Sequence, residues 1–349
     1  MVTLPNSVHH LLEERPVRWC VTGGAGFIGS HLVAALLELG QEVVVLDNLS
    51  TGKITNLDAV RCLVGNAAFA KFRLLRGDIT TPSDCLQAVA GATYVLHHAA
   101  LGSVPLSLAD PLGCNAANVT GCLNIFDAAR QAGVSSVVYA SSSAIYGDDP
   151  VLPKTESMAG AALSPYALSK TMNELYADVY ARCYGLRTIG LRYFNVFGPR
   201  QDPAGAYAAV IPCWFDDLAR GQAPRINGDG LTTRDFCYVS DVVRANILAA
   251  TSDNPTLPGQ VINIGGGTAV TLLELCDAIR GVAACTHPRA AHIVPVHDAP
   301  RPGDIRHSLA DVSKAFDLLG FSPTVSLSQG LAAAANWYLG DTPSSIELG

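Results

Sequence analysis

The sequence predicts an α/β fold: a doubly wound parallel sheet with a smaller, interleaved C-terminal lobe. Three observations predict it. Short apolar runs without polar alternation, such as Val43-Val44-Val45-Leu46, recur through the first 195 residues. Continuous β-branched runs of this kind fit parallel strands covered on both faces. Segments with helical spacing lie between them, the alternation of a parallel sheet. The first run ends in glycines that open the first of these helices, the junction at which such sheets bind ligands.

The elements follow in order. Residues before 17 form a polar extension with helical character. Residues 17–22 make the first strand, and residues 27–39 a helix stopped by Gly40. Further strands are expected at 42–47, 72–76, 94–97, 136–140 and 188–192. The longest helices between them fall at 111–132 and 165–184. After about residue 195 Gly and Pro become frequent and elements shorten. One helix is expected at 210–220. A strand-like 235–239 should lead into a helix capped by Ser240 or Asp241. Residues 261–264 read as a strand returning to the main sheet. The expected organisation is an extension (1–16), a nucleotide-binding domain (17–195, with about 235–265 returning to it) and a second lobe (196–234 and 266–349).

Composition limits what such a fold does. Of 349 residues, 49% are apolar and 15% charged, which excludes a disordered chain. A net charge of −7 and a pI near 5.7 argue against nucleic-acid binding. Mean hydropathy is +0.27, yet no run approaches the roughly 18–20 apolar residues of a membrane span. The excess belongs in buried strands and helix faces. Residues 1–20 lack the apolar core of a signal peptide, and ten cysteines show no C-x-x-C pair. They read as small buried hydrophobes of a cytoplasmic, reducing compartment, with no metal expected.

The glycine turn carries the first chemistry. Gly23, Gly26 and Gly29 follow the first strand and let a backbone approach a pyrophosphate. Phe27 and Ile28 then offer free N–H groups at a helix N-terminus. Asp47 ends the second strand 18 residues after Gly29, near the ~20-residue spacing of a carboxylate on adenosine ribose hydroxyls. Such a carboxylate repels a 2′-phosphate, so NAD is expected rather than NADP. The following loop, with Asn48, Ser50, Thr51 and Gly52, belongs to the same expected site. This is a Rossmann reading.

Tyr166 and Lys170 stand at i and i+4, on one face of a predicted helix. A free phenol ionises near about pH 10. A lysine cation and a positive nicotinamide both favour phenolate, giving a base for a hydroxyl proton. Ser141-Ser142-Ser143 follows the fifth strand, at the ligand-binding edge of such a sheet.

The G-x-x-G-x-x-G spacing resembles the extended short-chain dehydrogenase/reductases. Gly77-Asp78-Ile79, His97-His98-Ala99-Ala100 and Asn118 in Asn118-Val119-Thr120-Gly121 match that branch. The resemblance implies Asp78 and Ile79 at the adenine, and His98, Ala99, Ala100 and the helix residue Asn118 as further cofactor-binding residues. Structural hydrogen bonds, rather than catalysis, are expected of both histidines. Tyr146-Gly147 implies Ser142 as the serine that hydrogen-bonds the reacting hydroxyl, and Ser143 as a substrate contact.

From residue 17 to about 338 the chain resembles the NAD-dependent epimerase/dehydratase family acting on nucleotide sugars. The strongest match is Leu191-Arg192-Tyr193-Phe194-Asn195-Val196-Phe197-Gly198-Pro199. It implies Tyr193 and Val196 at the nicotinamide and Asn195 at the diphosphate. Arg234-Asp235-Phe236 and Arg301-Pro302-Gly303-Asp304 imply Arg234 and Arg301 on UDP phosphates and Asp304 on the uridine ribose. Fixed bidentate donors suit a diphosphate. Val210 and Asn227 are further expected substrate contacts.

The family's 4,6-dehydratases carry an Asp-Glu pair where this chain has Ser143-Ala144, and its decarboxylases usually keep a Glu there. That leaves 4-epimerisation. Residues 202–212, residues 101–105 with Ser103, and the N-terminal extension resemble the bacterial subgroup acting on UDP-N-acetylglucosamine. Ser308 occupies the position resembling the sugar gate, where relatives restricted to plain hexoses tend to have tyrosine. A serine leaves room for an N-acetyl group. A UDP-hexuronate would need an extra donor, for which Arg225, Arg306 and His307 are candidates. UDP-glucose/galactose is a further alternative, and a non-enzymatic NAD-binding regulator is the rival of another class. The family resemblance also implies a homodimer, with helices 111–132 and 165–184 forming a four-helix bundle through small residues Ala116, Ala117, Ala167 and Ala177.

Overall fold

The computed structural model describes residues 3–158, 160–203, 209–300 and 305–340. Seven parallel strands form the main sheet: β1 (Arg18–Thr22), β2 (Glu42–Asp47), β3 (Phe72–Arg76), β4 (Tyr94–His97), β5 (Ser136–Ser142), β6 (Thr188–Tyr193) and, from far along the chain, β11 (Gln260–Ile264). Their order is β11-β6-β5-β4-β1-β2-β3. The order reverses between β1 and β4, which opens a crevice at the strands' C-terminal ends. All six residues of β6 are buried, as the unbroken apolar runs predict.

Helices cover both faces. The N-terminal α1 (Asn6–Glu14), α2 (Phe27–Glu38), α10 (Val239–Thr251) and α12 (Ser313–Leu319) contribute to one apolar layer. The other is built from α4 (Pro82–Val89), α7 (Gly121–Ala132) and α8 (Pro165–Tyr184). α8 has clear end signals: Ser164 accepts from the Ala167 N–H, Pro165 takes the first turn, and Gly185 ends it left-handed. α3 (Ile54–Phe69) is interrupted at Gly65. The short α5 (Val104–Ala109) and α6 (Pro111–Asn115) precede α7.

A second lobe has its own core around Trp214, Phe215 and Ile279. It holds α9 (Val210–Ala219), α11 (Leu272–Ala284) and α13 (Leu327–Leu339). Three small pairings complete it: β7 (Val196–Phe197) with β10 (Cys237–Tyr238), β8 (Arg225–Asn227) with β13 (Val296–Asp298), and β9 (Thr233–Asp235) with β12 (Ala269–Thr271). β11 therefore threads back into the first sheet, the interleaving expected from sequence. Among the described residues no helix is long and apolar enough to cross a membrane.

Several local expectations need correction. α10 begins at Val239 after Tyr238, with no side-chain cap. Asp241 cannot cap it, because its carboxylate accepts from Thr324 N and Oγ1 and from Val325 N. The single strand expected at 235–239 is split between β9 and β10. The helix expected at 111–132 contains a π-helical turn, Ala116–Thr120. There Asn118 spends its amide on Leu101, Cys114 and Ser169, a cause for the widened turn. Ala167 and Ala177 lie in the protomer's own interior, so they are unavailable to a partner.

Candidate active site

A cleft of about 1130 Å³ lies at the C-terminal ends of the strands. Gly23, Gly26, Phe27, Ile28 and Gly29 form its floor. Gly23 has φ +69°, and a Cβ there would sit 2.7 Å from the Ala99 nitrogen. A Cβ on Gly29 would lie 2.1 Å from the Gly23 carbonyl oxygen. Only glycines permit this turn. Gly26 leaves the first N–H groups of α2 without a side-chain cap, so they are available to a pyrophosphate.

Asp47 lines the cleft and braces the turn, accepting from Ala25 N and Leu49 N at 2.8 Å each. Asn48, Ser50, Thr51, Gly52, Asp78 and Ile79 continue the wall. Partial burial raises the Asp78 carboxyl, but hydrogen bonds from Thr80 and Asn48 outweigh it and hold it below its usual range. The carboxylate at Asp47 and the uncapped helix end suit the ribose and pyrophosphate of NAD.

The two histidines are structural. The Thr22 hydroxyl accepts from His98 N and Ala99 N, so its own proton goes to His97 Nδ1 at 2.7 Å. Likewise Tyr193 Oη accepts from Asn246 Nδ2 at 2.8 Å and donates to His98 Nε2 at 2.9 Å. Burial pushes both imidazoles down to about 3, so both are neutral at ordinary pH. His98, Ala99, Ala100, Tyr193 and Val196 reach the cleft as expected. Asn118 does not line it; its side chain holds the loop after β4 instead.

Ser142, Tyr166 and Lys170 converge on this cleft. β5 runs to Ser142, two residues longer than predicted, and delivers it to the edge. The Lys170 ammonium lies 5.9 Å from the centre of the Tyr166 ring and donates to the Ala140 carbonyl at 2.9 Å. Burial works against the phenolate in the protein's own groups. Burial pushes the Tyr166 phenol above its ordinary value, and the Ser142 hydroxyl only partly opposes it. Burial also lowers Lys170, against the pull of Cys122, Cys114 and Glu174. Desolvation is the largest influence on both groups.

The opposite wall carries Ser143, Asn195, Arg234 and Ser308. Asn195 donates to the Asp235 carbonyl, and Arg234 donates to Thr233 O. Ser103, Val210 and Asn227 do not line the cleft. Ser103 caps α5, Val210 packs into the second core, and Asn227 is in β8. Arg301 and Asp304 lie outside the described residues. Arg225 and Arg306 are paired with Asp298 and Asp229, His307 is bonded to Thr233, and none of the three lines the cleft.

Sequence reasoning missed two residues. Gln201 lines the cleft with its Oε1 unpartnered; its place just after the Phe197-Gly198-Pro199 motif was the signal. Asp235 is buried behind Arg234 and accepts from Gly266, Gly267 and Ala310 N–H groups. Burial pushes its carboxyl up to about 6, against those hydrogen bonds.

A dinucleotide crevice with a tyrosine–lysine pair at the strand ends defines a nicotinamide-dependent enzyme of the short-chain dehydrogenase type. Comparison narrows this. Residues 19–265 match the NAD dependent epimerase/dehydratase family, and the chain belongs to it. A UDP-glucose 4-epimerase of Mycolicibacterium smegmatis is 37% identical over 323 residues, covering 92% of this chain and 98% of that one. The UDP-N-acetylglucosamine 4-epimerase of Methanobrevibacter ruminantium, solved with UDP-N-acetylmuramic acid, superposes with a TM-score of 0.85 at 38% identity, over 94% of this chain and all of that one. A Thermus thermophilus UDP-glucose 4-epimerase solved with NAD gives 0.80 at 35%, over 93% and 100%. NAD is thus the cofactor of the family, and this cleft has the groups to hold it.

Proposed function

We propose that the protein is a UDP-sugar 4-epimerase that interconverts UDP-N-acetylglucosamine and UDP-N-acetylgalactosamine. The observation that carries this sugar is Ser308, a small side chain on the wall of the cleft that holds Tyr166 and Ser142. The volume it leaves suits an N-acetyl group. The three candidate donors for a 6-carboxylate are turned to other partners, which favours the acetamido sugar over a hexuronate.

The chain's own groups divide the work. Tyr166 takes the proton of the sugar 4-hydroxyl and Ser142 hydrogen-bonds that oxygen. Lys170 supplies the positive charge that favours phenolate. Bound NAD provides the hydride acceptor and donor for C4. Arg234 and Asn195, with Arg301 by family resemblance, anchor the diphosphate while the 4-keto pyranose turns. Tyr166 then returns its proton with the opposite face of C4 presented. Ser143 and Ala144 offer no acid–base pair for eliminating water.

Incubation of the NAD-loaded protein with UDP-GlcNAc, UDP-glucose and their 6-carboxylates, followed by NMR, tests the reading. Conversion of UDP-GlcNAc to its C4 epimer is expected, and no conversion would overturn it.

The same reading includes a homodimer. Leu112, Leu168 and Leu175 are 82%, 53% and 59% exposed. They leave an apolar surface on α6 and α8, which pack on each other, and such a surface suits a second copy.

A further inference from the structure

We propose that Glu174 and Arg192 form a buried positioning pair that fixes the catalytic end of β5. The proposal rests on the epimerase reading above. Arg192 on β6 clasps Glu174 on α8 through Nε at 2.8 Å and Nη2 at 2.7 Å. Their side chains are only 6% and 11% exposed. Arg192 also lies over the Tyr146 ring at 4.9 Å and donates to the Glu156 carbonyl. Its guanidinium is thus held from several directions.

The pair meets the catalytic residues twice. Ser141 Oγ donates to Glu174 Oε1 at 2.5 Å. Ser141 stands opposite Arg192 in the β5–β6 ladder and next to Ser142 in sequence. Glu174 is also one turn beyond Lys170 on α8, and Lys170 holds the Ala140 carbonyl. Residues 140 and 141 are therefore tied to α8 by separate bonds, immediately before the catalytic serine. A buried ion pair adds little net stability once its desolvation is counted. Holding a reacting group in place can matter far more, since a misplacement of about 1 Å costs up to about a hundred-fold in rate. Neither Glu174 nor Arg192 lines the cleft, so they act through Ser141, Ser142 and Lys170.

Ser141→Ala removes only the linking hydroxyl and leaves the ion pair in place. On the NAD-loaded protein it should lower kcat about ten-fold, with KM within two-fold and NAD content unchanged. Ser141→Thr, which restores a hydroxyl, should recover most of kcat. Glu174→Gln should lower kcat at least as far if the protein folds. Hydrogen exchange should accelerate at the amides of residues 140–144 in Ser141→Ala, with the rest of the sheet unchanged. An unchanged kcat against an active wild type overturns the proposal, as does exchange that is unchanged or rises uniformly. An inactive wild type would instead refute the epimerase reading, and the exchange measurement would still decide the positioning role.

Discussion

The Lys170 ammonium is bonded to the Ala140 carbonyl, two residues before Ser142 in β5. The cation proposed to serve the Tyr166 phenol thus also anchors the strand that carries Ser142. Because burial lowers Lys170 and raises Tyr166, the free pair is poor in phenolate at neutral pH. Epimerisation should therefore accelerate as pH rises above 7, until Lys170 loses its charge. Tyr166→Phe should lose about 10²–10⁴-fold in kcat while keeping its NAD. A rate that is flat from pH 6 to 9, or full activity in Tyr166→Phe, would contradict this assignment.

Gly29→Ala tests the turn. The added methyl would be 2.1 Å from Gly23 O and 2.8 Å from Gly23 C. Backbone atoms cannot yield cheaply, so the turn must shift away from the pyrophosphate position. Purified variant should carry almost no NAD by absorbance and lose about 1–3 kcal/mol of stability. Normal NAD content would show that the turn tolerates displacement.

How far the sequence reached differs between fold and site. The parallel sheet was legible because unbroken runs such as Val43-Val44-Val45 have few other stable placements. The helix α8 was legible from its residue spacing, with Pro165 at its start. The π turn at Ala116–Thr120 was not, since it depends on Asn118 reaching Leu101 and Ser169 across the fold. Among site residues, glycines and the Tyr166–Lys170 pair carry local spacing that betrays them. Ser103, Val210 and Asn227 were expected as substrate contacts, but Ser103 caps α5, Val210 packs on the second core, and none of the three lines the cleft. Asp235 was hidden because an aspartate's donors lie 31 and 75 residues away.

Asp235 gives a pH prediction for stability. Its carboxyl is raised from the ordinary 3.8 to about 6 in the fold. The folded state therefore binds this proton more tightly than the unfolded chain. Its stabilising contribution is fully present below about pH 3.8 and is lost as pH rises through about 6, up to about 3 kcal/mol. Asp235→Asn cannot titrate, so its stability should vary less across this window, once the shared background is subtracted. Urea melts of both proteins at pH 4, 5, 6 and 7 measure it. Parallel curves would place the Asp235 carboxyl at an ordinary value.

The exposed leucines predict an assembly. Sedimentation at micromolar concentration should give twice the 36.5 kDa chain mass. Leu112→Glu with Leu175→Glu should shift it to the monomer, since charges in an apolar interface are costly. A monomeric wild type would mean that this surface has another use.

Ser308 supplies the sharpest test of the sugar. Its backbone N–H donates to the Thr233 carbonyl at 3.2 Å, which ties its position to β9. Replacing it by tyrosine adds bulk to the cleft wall and leaves Tyr166, Lys170 and the glycine turn unsubstituted. kcat/KM for UDP-GlcNAc should fall at least about ten-fold, and any turnover of UDP-glucose should persist, because only the acetamido group needs the vacated volume. Equal losses on both sugars would point to a general collapse of the cleft. Unchanged UDP-GlcNAc turnover would show that Ser308 does not border the acetamido position, and the sugar would then have to be set by other residues of the same wall, such as Ser143 or Ala209.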